Sequence, residues 1–291
     1  MSTCDHPLCA VFSRCDLARL KSGQCVESEG AADDTVVRIL TEDNGGPNYY
    51  AVWLGKWFRQ AARHGDEIRS QYRAQLRGAA SDRTSFLQVA SELMAAYFLE
   101  VQQGFDLRYI PRQKVRTPDF QIHRDGLSLV VEVKTIVGDP PPPDGVRPVM
   151  PVASAAPLLR QAMKAARGQL DGSANNLVLV INYYDREILE HEAVDAAYGD
   201  LHLATPLGAD GPMGGPYEVR DENVFFQPGK NTRIGAMGIL WYTRHAGSAG
   251  YFIHNGHALN RIPEWAFDPW AQFVVDEAKG VMVWRNRPGE R

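Results

Sequence analysis

Asp119, Glu132 and Lys134 are the residues whose types and spacing could do chemistry together. Asp125-Gly126 separates two extended runs, Asp119 to His123 and Leu127 to Lys134. Asp-Gly between such runs predicts a two-residue β-hairpin turn. With Arg124 opposite Leu127, Asp119 falls opposite Glu132. Directly opposed residues of an antiparallel pair carry their Cβ atoms about 5 Å apart on one face. Lys134, two residues on, shares that face, while Leu127, Leu129, Val131 and Val133 point the other way and specify the register.

Two opposed carboxylates repel, and more so as water is excluded. A hard divalent cation turns that repulsion into chelation. Mg²⁺ or Mn²⁺ held by one or two carboxylates, with waters and phosphate oxygens completing its shell, is the chemistry this pair suits. Lys134 fits beside it as a charge that positions or deprotonates a water, or stabilises negative charge developing on phosphorus oxygens. A third acid, Glu92, is the only charged residue in Thr84 to Leu99, where apolar residues at 86, 90, 93, 94 and 97 predict a buried helix. An uncompensated carboxylate there costs several kcal/mol, so Glu92 must have a partner.

The elements that position these groups read as an α/β order. The buried helix ends at Gly104, a preferred terminator, and a strand follows over Phe105 to Ile110. The hairpin comes next, then a proline-rich loop from Gly138 to Pro151, a helix over Leu158 to Leu170 and a buried strand over Asn176 to Tyr183. A helix near Glu187 to Tyr198, a Gly/Pro-rich loop from Thr205 to Pro228, and extended segments at Ile234 to Tyr242, Tyr251 to His254 and Val281 to Trp284 complete the chain. The expectation is a mixed central β-sheet flanked by helices.

Pro118-Asp119, twelve intervening residues and Glu132-Val133-Lys134 resemble the motif of the restriction-endonuclease-like nuclease superfamily, Pro-Asp, a spacer, then Asp/Glu-x-Lys. Glu92, upstream of Gly104-Phe105, resembles the helix-borne acid of the Holliday-junction resolvases in that superfamily. The resemblance covers Ser81 to Tyr184, roughly a third of the chain. It implies a restriction-endonuclease-like fold and a metal-dependent nuclease, with Asp119, Glu132 and the Val133 carbonyl as Mg²⁺ or Mn²⁺ ligands. Lys134 is then the catalytic lysine, and Glu92 an accessory ligand or water-positioner. Lys164 and Gln169, on the next helix, match accessory positions. DNA is the favoured substrate by the superfamily's commonest use, and RNA is an alternative.

The remaining segments read as an amino-terminal elaboration. The chain divides into a cysteine-containing segment 1–30, a helical segment 31–80 and a nuclease-like domain 81–291. Cys4, Cys9, Cys15 and Cys25 all precede residue 26, and no basic region and apolar block marks a signal peptide, so a cytoplasmic location with reduced thiols is expected. Four thiols could then bind Zn²⁺, although no Cys-x2-Cys knuckle is present. Asp34 to Leu40 reads as a short strand, and Tyr49 to about Gln75 as two helices broken near His64-Gly65. Arg69, Arg73 and Arg77, four apart, project from one helix face. That stripe is either a solvated face or a track for nucleic-acid phosphates. A net charge of −4 excludes a uniformly basic coat for nucleic acid, and no apolar run is long enough to span a membrane. The competing reading is a non-catalytic module that keeps the fold and binds nucleic acid or protein. His254-Asn255-Gly256-His257 beside a strand reads mainly as a hydrogen-bonded turn.

Overall fold

The computed structural model describes residues 8–22, 36–37, 49–111, 117–138, 154–170, 172, 174–183, 188–199, 201–204, 207–208, 211–212, 217–220, 224–243, 245–276 and 281–286. Its helices are α1 (Arg14–Lys21), α2 (Tyr49–Ala61), α3 (Asp66–Gly78), α4 (Arg83–Tyr97), α5 (Ala156–Arg167) and α6 (Glu190–Tyr198). Strands β1 (Asp106–Tyr109), β2 (Phe120–Arg124), β3 (Leu127–Val137) and β4 (Asn175–Tyr183) lead into four short strands, β5 (Leu201–Ala204), β6 (Leu207–Gly208), β7 (Gly211–Pro212) and β8 (Tyr217–Arg220). β9 (Ile234–Trp241), β10 (Ala249–His254), β11 (Ala271–Asp276) and β12 (Val281–Arg285) follow.

Eight strands form one mixed sheet in the order β1-β2-β3-β4-β9-β10-β11-β12. The hairpin turn is as expected. Asp125 and Gly126 both take positive φ, 49° and 80°, the conformation a two-residue turn between right-twisted strands requires, and β2 pairs β3 from Phe120↔Val131 to Arg124↔Leu127. β3 then runs parallel to β4 from Leu129↔Asn175 to Val137↔Tyr183, with α5 in the intervening crossover.

The sheet separates two apolar layers because β4 alternates. Leu177, Leu179 and Ile181 pack with Leu129, Val131 and Val133 against α2, α3 and α4, while Val178 and Val180 pack with α5 and α6. Leu8, Phe12 and Leu20 join the first layer, so the amino-terminal segment shares that core. α4 is capped by Asp82, which accepts from the N–H groups of Thr84 and Ser85, and continues through a π-helical turn, Phe98–Gln102. Gly104, at φ 71°, then lets the Phe105 N–H reach back six residues to the Leu99 carbonyl at 3.0 Å, which ends the helix where glycine is expected to end it.

Four expectations are corrected. Val36 and Val37 are helical rather than extended. The Gly/Pro-rich span after Thr205 contains the short strands β6, β7 and β8, paired in two small ribbons with β5. β11, which the sequence reading left unassigned, sits inside the sheet. Its burial fits a central strand, since Ala271, Gln272, Phe273 and Val274 are all buried. Cys9 is disulfide-bonded and Cys15 is a free, exposed thiol. In this form Cys9 offers no thiolate to Zn²⁺, because a disulfide sulfur is not a thiolate ligand. Cys4 and Cys25 lie outside the described residues, as do residues 139–153 of the proline-rich loop.

Candidate active site

The hairpin brings Asp119 and Glu132 together, but not as a directly paired couple. The described ladder stops at Phe120↔Val131. One residue beyond it, the Asp119 N–H donates to the Val131 carbonyl at 3.0 Å, and the Asp119 carbonyl accepts from the Ile110 N–H at 3.0 Å. The Asp119 carboxylate turns onto β3, where its Oδ2 accepts from the Val133 N–H at 2.7 Å. Three bonds thus hold Asp119 at the strand end. The offset replaces the face-to-face geometry expected from the register.

Glu132 is 1% exposed. Its Oε1 accepts from the Lys134 ammonium, and its buried Oε2 has no hydrogen-bond partner. Burial, reinforced by Asp119 and more weakly by Glu92, pushes the Glu132 carboxyl up to about 8 against the opposing pull of Lys134. Lys134 in turn donates to Gln169 Oε1 at 2.8 Å, and Gln169 Nε2 donates to the Thr117 carbonyl at 3.3 Å. Gln169 therefore links the lysine to the segment that carries Asp119. Lys164 is exposed instead. Val133 is buried in the layer beneath α4 and enters the site through its N–H.

The compensation that Glu92 requires comes from Tyr72, whose hydroxyl donates to Glu92 Oε2 at 3.1 Å. Burial first, then Glu92, Tyr109 and Asp119, hold the Tyr72 phenol well above its usual range, so it stays a proton donor. Tyr72 was missed by sequence reasoning. Its signal was present, because Ile68, Tyr72 and Leu76 recur four apart in the row next to the arginines, about 100° around α3, and Tyr72 and Leu76 are buried. α4 is fixed to β3 one residue away, where Thr135 Oγ1 donates to Ser91 Oγ at 2.9 Å and Ser91 donates to the Leu87 carbonyl at 2.7 Å.

A cavity of about 270 Å³ opens beside these groups, lined by Asp119, Glu92, Tyr72, Tyr109, Glu67 and His64, among others. Among the described residues, no three His, Cys, Asp or Glu side chains are already gathered as a metal cage. The donor set nevertheless fits a hard divalent cation. Asp119 and Glu132 supply carboxylate oxygens, and Glu132 Oε2 is a buried acceptor without a partner, which is costly unless something else satisfies it.

The arginine stripe is engaged within the fold. Arg69 pairs with Asp66 at 2.7 Å, Arg77 pairs with Asp16 of α1 at 3.1 Å, and Arg73 donates to the Ala10 carbonyl through Nε at 3.1 Å and Nη2 at 2.7 Å. Two of the three therefore hold the amino-terminal segment against α3. The His254 region lines a different cavity of about 340 Å³. There His254 Nε2 meets Gln272 Oε1 at 2.8 Å, burial lowers the His254 pKa, and Asn255 builds the turn by donating to the Ile234 carbonyl and accepting from the His257 N–H.

Compared with known proteins, the chain matches no family model, no curated relative and no solved structure. Among the described residues no helix is long and apolar enough to cross a membrane.

Proposed function

We propose that this protein is a metal-dependent phosphodiesterase acting on nucleic acid, DNA by preference, with a restriction-endonuclease-like core. The observation that carries the reading is the Glu132 carboxyl, buried beside Asp119, with one oxygen on Lys134 and the other without a partner. A sheet that needed only a hairpin has no use for that arrangement, since burying a carboxylate against a second one destabilises the fold.

Asp119 and Glu132 would hold Mg²⁺ or Mn²⁺, with the Val133 carbonyl and Glu92 as accessory oxygens. When bound, the cation would polarise the phosphate and acidify a water. The protein groups do the rest. The Val133 N–H keeps the Asp119 carboxylate on β3, Gln169 aims the Lys134 ammonium, and Tyr72 fixes Glu92. The Lys134 ammonium holds the attacking water, whose proton passes to solvent, and its charge offsets the negative charge that grows on the phosphate oxygens.

The test is cleavage of single-stranded DNA, duplex DNA and RNA by purified protein with Mg²⁺, Mn²⁺ or EDTA. Metal-dependent cleavage that disappears in Asp119→Asn is expected. Binding without cleavage under every metal condition would favour the non-catalytic module instead, and neither binding nor cleavage would remove nucleic acid altogether.

A further inference from the structure

The cavity beside Asp119 has a far wall that the chemistry above leaves unused. His64 ends the 3-10 turn Ala62–His64 between α2 and α3, where Gly65, at φ 115°, reverses the chain. Its Nε2 lies 3.1 and 3.2 Å from the two carboxylate oxygens of Glu100, in the π-helical turn that continues α4. A π-turn inserts an extra residue into the helical ladder, a feature frequent at functional sites. The His64 ring stands edge-on to Tyr109 at 5.1 Å, and Tyr109 stands 5.7 Å from Tyr72, which binds Glu92. His64 and Glu100 are 22% and 24% exposed, so the pair is shielded, and His64 is reachable from the cavity that it lines.

With Nε2 committed to the carboxylate, the second ring nitrogen is the one that can exchange protons, and His64 Nδ1 has no hydrogen-bond partner among the described residues. A carboxylate that fixes an imidazole while the opposite nitrogen handles the proton is an arrangement general acids and bases share. The side of the cavity decides between the two roles. Phosphoryl displacement is in line, so the leaving oxygen departs opposite the attacking water. Glu132 and Lys134, the water's side, do not line this cavity, whereas Asp119, bonded to the Val133 N–H between them, does. Treated as a sphere, the cavity is roughly 8 Å across, enough for a phosphate group to reach both walls but too small for a whole nucleotide.

We propose that His64, oriented by Glu100, is the general acid that protonates the leaving oxygen of a phosphodiester. This rests on the phosphodiesterase reading. As the water oxygen bonds to phosphorus and the ester P–O bond breaks, the electron pair of that bond goes to the departing oxygen. That oxygen takes the Nδ1 proton, leaving neutral imidazole and an alcohol, and solvent returns the proton to the ring.

The experiment compares cleavage of an ordinary DNA oligonucleotide with oligonucleotides carrying sulfur in place of the bridging 3′ or 5′ oxygen at the cleaved linkage. A thiolate leaves without a proton. His64→Gln should slow cleavage of ordinary DNA about 10²-fold or more, the usual contribution of a general acid. On the sulfur-bridged oligonucleotide whose leaving atom is replaced, it should cleave within about threefold of wild type. Affinity for the ordinary oligonucleotide in EDTA, read by fluorescence anisotropy, should be unchanged. Glu100→Gln should follow the same pattern more weakly, which covers the case in which His64→Gln fails to fold. Equal losses on both substrates, or wild-type cleavage of ordinary DNA by His64→Gln, would overturn the general-acid assignment alone. Failure of wild type to cleave either substrate would overturn the phosphodiesterase reading and this inference with it.

Discussion

Replacing Glu132 by Gln keeps the shape of the side chain and removes its titration. In the folded state the Glu132 carboxyl sits at about 8 against an ordinary 4.5, from burial and from Asp119. Between those values the folded chain holds a proton that the unfolded chain has released. Folded protein thus binds more protons than unfolded protein, and stability falls as pH rises from about 4.5 to about 8. The loss is complete above that window and absent below it. At about 1.4 kcal/mol for each unit of pKa, the interval sets a ceiling near 5 kcal/mol, and about 2 to 4 kcal/mol is expected because relaxation and water penetration around an ionised buried carboxylate lower the penalty.

The assay is urea unfolding of wild type and Glu132→Gln in EDTA from pH 4 to 9 at fixed ionic strength. Other titrating groups are common to both proteins and cancel in the difference. The variant should gain on wild type by about 2 to 4 kcal/mol between pH 5 and pH 8, with the change levelling above pH 8. Mg²⁺ should then recover part of the loss in wild type only, since a ligand that binds the folded state alone stabilises it by mass action. A difference between the two proteins that is flat across this range would refute the argument that the Glu132 carboxylate is buried at electrostatic cost.

Asp119→Asn, Glu132→Gln and Lys134→Ala should each abolish metal-dependent cleavage with the fold intact by circular dichroism, and Glu92→Gln should reduce it less. Near wild-type turnover in any two of the first three would sink the assignment. Tyr72→Phe should weaken metal affinity, measured by calorimetry, in parallel with Glu92→Gln, because the first removes the bond that fixes Glu92 and the second the charge that it fixes; additive effects in the double variant would show that the bond is irrelevant. Arg73→Gln should lower stability by about 1 kcal/mol through its lost bonds to the Ala10 carbonyl while leaving the salt dependence of DNA binding unchanged. A flattened salt slope would instead make the stripe a phosphate track.

What was legible in the sequence was whatever short-range pattern decides. Asp125-Gly126 specified the turn, the turn specified the β2–β3 register, and Gly104 marked the end of the long helix, because φ preferences act locally. The pairing at Asp119 was not legible. β1 supplies Ile110 as a second backbone partner, and the chain leaves the ladder one residue earlier than a bare two-strand register implies. The contacts of the arginine stripe were not legible for a related reason. Spacing of four puts side chains on one face of a helix but does not say what that face meets, and here it meets α1 and the Ala10 carbonyl. β11 carries only a weak sequence signal because Gln272 and Asp276 leave just Phe273 to Val275 as a contiguous apolar run; Gln272 is fully buried and bonded to His254 and Asp268.

The candidate site follows the same division. Asp119, Glu132 and Lys134 were legible because a hairpin ties them to one another within sixteen residues of chain. Gln169 was legible only through a family resemblance, and Tyr72 and His64 were not singled out at all, since each reaches the site across a helix packing that no local pattern encodes. That packing is nonetheless constrained by the acids. Glu92, half-buried on α4, needs a donor, and α3 is the neighbouring helix with a hydroxyl on its apolar face. Docking α3 there also carries His64, one residue before the glycine that starts it, to the rim of the cavity where Glu100 waits at the end of the same long helix. One helix thus bears two acids, Glu92 toward the hairpin and Glu100 toward the histidine, and the α3 segment answers both.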